Sequence, residues 1–76
     1  MMSLNELKPN SECVVASIDG DARYLSRITS IGLTPGCHIK VLKNDKRRPM
    51  LVFMRDTMVA LNTEECRNIK VEVRGN

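Results

Sequence analysis

Three cysteines, one histidine and a pair of adjacent glutamates carry most of the reactive chemistry available to this 76-residue chain, and their spacing limits what it can be. Cys13, Cys37 and Cys66 stand far apart, and no Cys-x-x-Cys pair occurs. An odd number of cysteines so placed is neither a disulfide framework nor a zinc ribbon, so each is expected to act as a small buried hydrophobe. His38 directly follows Cys37. Neighbours on a strand point to opposite faces, so the two cannot easily bind one metal ion, and His38 is expected at the surface. No metal ligand set is therefore assigned. Glu64 and Glu65 fall where a short helix begins, and carboxylates there offset the helix dipole without any catalytic duty.

No nucleophile and base are spaced for catalysis. None of the glycines at 20, 32, 36 and 75 belongs to a phosphate-binding loop ending in Lys-Ser or Lys-Thr. The expectation is a protein that is not an enzyme. The net charge of +3 is concentrated in one segment, where Lys43, Lys46, Arg47 and Arg48 outnumber Asp45, while the rest of the chain balances. Such a run either contacts phosphates or, as a solvated loop, keeps a strand edge from pairing, and the second reading is favoured. With Tyr24 and Phe53 as the only aromatics, neither a Pro-rich peptide groove nor a base-stacking platform can be built.

The elements that hold these residues follow from periodicity. Glu12 to Ile18 is rich in β-branched residues and stops at Asp19-Gly20, which reads as a strand. Asp21 then caps a helix carrying Tyr24, Leu25, Ile28 and Ile31 along its inner face, and Gly32 ends it. Pro35-Gly36 suits a type II turn. Cys37 to Lys43 alternates with Cys37, Ile39 and Val41 on one side and His38 and Lys40 on the other. Met50 to Met54 and Met58 to Leu61 are two further strands, joined tightly enough for a hairpin. Asn62 caps a turn over Thr63 to Cys66, with Glu65 in the capping-box position, and Ile69, Val71 and Val73 form the inner face of a last strand.

Five short strands, one helix after the first and a helical turn before the last do not make a parallel sheet, because crossover helices would have to recur. A small, mainly β barrel is expected instead, as a single domain over residues 1–76 with its core at about 4–73. The start of the chain lacks the layout of a secretory signal, and no apolar run approaches the ~20 residues of a membrane span, so a cytoplasmic location is expected.

Tyr24-Leu25-Ser26-Arg27-Ile28-Thr29-Ser30-Ile31-Gly32-Leu33-Thr34-Pro35-Gly36 and the strand to Leu42, followed by Met58-Val59-Ala60-Leu61, Glu64-Glu65-Cys66 and Ile69-Lys70-Val71, resemble the FeoA family. Cys66 departs from the small residue usual there. The resemblance implies an SH3-like barrel and a cytosolic accessory protein that acts by binding a FeoB-type ferrous iron transporter, a membrane protein with a GTP-binding domain. Under that reading Leu33, Thr34 and Pro35 on an exposed turn, with Arg23 and Arg27 on the helix, are expected to form the docking surface. The alternatives are RNA or ribosome binding through the basic loop, and a metal carrier or sensor for Fe2+ or another transition metal using the cysteines and His38. Self-association as a homodimer is compatible with the Met-rich apolar strands.

Overall fold

A computed structural model describes residues 1–74. Its elements are β1 (Met2–Ser3), a single 3-10 turn (Leu4–Glu6), β2 (Glu12–Ile18), α1 (Ala22–Ser30), β3 (His38–Lys43), β4 (Met50–Met54), β5 (Thr57–Leu61), α2 (Thr63–Cys66) and β6 (Ile69–Arg74). The strands form one antiparallel sheet in the order β1-β6-β2-β3-β4-β5. One more strand is present than the five expected. Met2–Ser3, pairing with Val71 and Lys70, is too short to leave an alternation in the sequence.

The sheet curls because two residues are inserted into its ladders. Ala16 is the extra residue between Val15 and Ser17 opposite β6, and Leu42 the extra one between Val41 and Lys43 opposite β4. Each bulge bends its strand and increases the local twist, turning a six-stranded ladder into a small SH3-like barrel whose two end strands, β1 and β5, remain unjoined.

Inside the curl lie Val15, Ile39, Val41, Met50, Val52, Met54, Leu61, Ile69 and Val71, with Leu4 and Leu7 closing one end. All three cysteines are buried among them as free thiols. The alternation in β3 has the expected sense, with Ile39 and Val41 inside and His38 and Lys40 exposed. On β6 the expected inner face holds for Ile69 and Val71 but not for Val73, which lies beyond the rim of the core and is exposed.

The β4–β5 hairpin turns on only two residues, Arg55 and Asp56, with φ of 50° and 61°. Positive φ at both central positions is the backbone of a type I′ turn, whose twist matches that of paired strands.

Candidate partner-docking surface

α1 starts where Asp21 accepts a hydrogen bond from the Tyr24 N–H at 2.8 Å. It ends in a Schellman motif: the Gly32 N–H donates to the Thr29 carbonyl and the Leu33 N–H to the Ile28 carbonyl. Gly32 supplies the φ of 92° that this turn requires. The motif brings the residue after the glycine back onto the last inward turn of the helix. Ile28 and Leu33 are accordingly both buried, at 1% and 0% exposure.

That geometry corrects the expected docking surface. Leu33 is not an exposed apolar side chain; it folds over the end of the barrel and belongs to the core. Ile31 makes the converse exchange. Expected on the inner face of α1, it sits at the helix cap and is 39% exposed, because the inward position is taken by Leu33 two residues later. A sequence signal for this was available in Ile28, Gly32 and Leu33, which occupy the three positions the motif uses. Thr34 is half-buried and Pro35 exposed, in the turn closed by the Cys37 N–H on the Thr34 carbonyl at 3.0 Å.

Arg23, Arg27 and Ile31 are spaced by four residues and so share one outward stripe of α1. Arg27 also has an intramolecular partner, the carboxylate of Glu65, while its side chain remains 60% exposed. Its guanidinium lies 6.0 Å from the centre of the Tyr24 ring, at the outer limit of cation–π reach. The Tyr24 ring covers Gly20, where a Cβ would come within 2.4 Å of Cδ2, and its hydroxyl donates to the Glu65 carbonyl at 2.5 Å. Glu65 in turn accepts from the Asn62 N–H at 3.3 Å, completing the expected capping box, and Asn62 Oδ1 accepts from the Glu64 N–H at 2.9 Å. α1 is thus fastened to α2 through one residue. None of these tertiary links was visible in the sequence.

The basic segment lies against the opposite side of α2. Lys46, Arg47, Arg48 and Pro49 face Asn62, Thr63 and Glu64 across a shallow groove. Its turn is ordered by Asp45, whose Oδ1 accepts from the Arg47 N–H at 3.0 Å and whose carbonyl accepts from the Arg48 N–H at 3.1 Å. Asn44 anchors the start of the segment by donating to the carbonyls of Leu7 at 2.6 Å and Asn5 at 3.0 Å. Lys43, Lys46, Arg47 and Arg48 all remain exposed. The structure therefore keeps the two groups of candidate residues apart, with α2 between them.

Chemistry at the cysteines is constrained by their surroundings. Burial pushes the Cys66 thiol up to about 12, with the nearby Glu65 carboxylate adding to the effect. Burial followed by proximity to Cys37 raises Cys13 to about 11. Both stay protonated at neutral pH. Among the described residues no three of His, Cys, Asp and Glu are gathered as a metal set. No helix among the described residues is long and apolar enough to cross a membrane.

Comparison with solved structures finds close likeness over nearly the whole chain. An iron uptake regulatory protein, FeoA, is 25% identical with a TM-score of 0.90, covering 95% of this chain and 96% of the other. FeoA of Stenotrophomonas maltophilia in complex with zinc is 26% identical with a TM-score of 0.80, covering 95% and 91%. That protein is described as a prokaryotic SH3 domain protein and a candidate activating factor of bacterial ferrous iron transport. A manganese-dependent transcriptional repressor shares the fold at 22% identity and a TM-score of 0.87, with the likeness covering 93% of this chain but 35% of the repressor. No curated protein matches the chain in sequence. Residues 2–73 match the FeoA domain, and the chain belongs to the FeoA family.

Proposed function

We propose that this chain is a cytosolic, non-enzymatic adaptor of ferrous iron transport that docks on a FeoB-type transporter through the outward stripe of α1. Family membership supports the iron-transport part of the reading. The observation that carries the docking part is the stripe itself: two arginines at positions 23 and 27 end in the exposed Ile31, beside exposed Pro35. An apolar anchor rimmed by guanidinium groups suits a partner surface that pairs a small apolar pocket with carboxylates. α1 is also held rigidly by the Tyr24 and Arg27 links to Glu65, which lowers the ordering cost of binding.

The test is a pull-down from detergent-solubilised native membranes with tagged wild type and Ile31→Asp, which changes an exposed side chain and leaves the core intact. Recovery of the FeoB-type transporter by wild type but not by Ile31→Asp supports adaptor and surface together. Recovery of RNA or ribosomes in place of the transporter, lost when Lys46, Arg47 and Arg48 are neutralised, overturns the reading in favour of the basic loop.

A further inference from the structure

The sheet has two free edges, and the chain treats them differently. β1 ends one side with only two residues, a length that offers little to pair with. β5 ends the other with five, Thr57-Met58-Val59-Ala60-Leu61, carrying no charge, proline or glycine. Its neighbour β4 is uncharged as well. Charged residues and prolines are among the devices by which edge strands are usually blunted, and β4 and β5 carry neither.

The register identifies which backbone groups are free. The hairpin closes on the Met54–Thr57 pair around a two-residue turn, so Thr57, Val59 and Leu61 exchange their hydrogen bonds with β4. Met58 and Ala60 therefore turn their N–H and C=O groups outward, and no described backbone bond outside the ladder engages them. On the outer face of the same hairpin, Phe53 and Met58 form a cross-strand pair that is 41% and 58% exposed, next to the Leu51–Ala60 pair. An apolar patch thus runs to the edge of the sheet beside a row of unpaired backbone donors and acceptors.

We propose that β5 pairs with β5 of a second copy, antiparallel about a two-fold axis at Val59. The strand is complementary to itself in that arrangement and no other register serves as well. Met58 of each copy lies opposite Ala60 of the other, and each such pair exchanges an N–H···O=C bond in both directions, so every outward backbone group of Met58 and Ala60 is satisfied. The large Met58 side chain meets the small Ala60 across the axis, extending the patch from Phe53 of one copy to Leu51 of the other. The same register carries the Arg55-Asp56 tip of each hairpin toward the first turn of α2 in the other copy, where Glu64 lies exposed beside the basic segment. A single added strand pair makes an interface below about 1,200 Å², which implies a weak, concentration-dependent dimer that leaves the α1 stripe free.

Sedimentation of the 76-residue protein from micromolar to millimolar concentration tests this, alongside Met58→Lys/Ala60→Lys, which sets lysines against each other across the axis at exposed positions. The wild type should pass from monomer to dimer, and the variant, with unchanged circular dichroism, should dimerise at least about tenfold more weakly. Val59→Cys should form a disulfide-linked dimer under a mild thiol oxidant, because only this register places position 59 opposite itself, while Thr57→Cys should not. A wild type that stays monomeric throughout, a dimer indifferent to the two lysines, or a Val59→Cys protein that does not cross-link overturns the proposal.

Discussion

The hydroxyl of Tyr24 donates to the backbone carbonyl of Glu65 across 2.5 Å, joining residues 41 positions apart and fixing α1 to α2. Ile28 is the one fully buried residue of α1 and Tyr24 packs half-buried against the core, so this bond and the Arg27–Glu65 pair add links to a short apolar contact. Tyr24→Phe removes the bond while keeping the ring over Gly20. It should lower the unfolding free energy by about 1 kcal/mol in a urea titration. An unchanged midpoint would mean that the bond is replaced by solvent at no cost.

Leu33 and Ile31 should respond in opposite ways to the same change. Leu33→Asp places a carboxylate in the core and should abolish cooperative unfolding, and Leu33→Ala should cost about 2–5 kcal/mol. Ile31→Asp at the exposed cap should cost less than about 1 kcal/mol. Thermal melts of the three variants check the assignment of one residue to the core and the other to the surface.

The barrel was legible in the sequence wherever the period was local. β3 and the inner half of β6 alternate cleanly, the hairpin is announced by two apolar runs with a short gap, and Asp21 and Asn62 mark the helix starts. What stayed hidden depends on residues distant in sequence. β1 is too short to show a period, Asn44 reads as part of a basic loop until Leu7 and Asn5 are seen beside it, and Tyr24 reads as an ordinary apolar-face residue until Glu65 arrives. The exposure of the residues in the proposed docking surface was half legible. Arg23 and Arg27 are exposed as expected, but Leu33 and Ile31 had to be exchanged once the helix-ending turn was known.

The hairpin tip holds Arg55 and Asp56 at positive φ, where a side chain is disfavoured. Replacing the pair by Asn-Gly relieves this without altering the turn, and Arg55→Asn/Asp56→Gly should stabilise the fold by about 1 kcal/mol by chemical denaturation. A loss of stability would show that the side chain of Arg55 contributes more where it lies than its backbone costs.

Stability should fall at alkaline pH. Cys13 and Cys66 are raised from an ordinary 9.0 to about 11 and about 12, and Tyr24 is also raised, by burial first and then by Cys66 and Glu65, with Arg27 opposing. Above pH 9 the unfolded chain has released thiol protons that the folded chain still holds, so the equilibrium shifts toward unfolding. The stabilising contribution is complete below pH 9 and is lost as pH rises through 11 to 12. Denaturation midpoints between pH 7 and 11 should decline from about pH 9, and Cys66→Ser should flatten part of that decline.

The most direct test of the adaptor reading is the affinity of the purified protein for a detergent-solubilised FeoB-type transporter, compared between wild type and Arg23→Glu/Ile31→Asp by biolayer interferometry. Both changes lie on the exposed stripe of α1. The account predicts measurable wild-type binding and a loss of at least about tenfold, or 1.4 kcal/mol, in the folded variant. Equal binding by the two proteins, or no binding by the wild type, would contradict it.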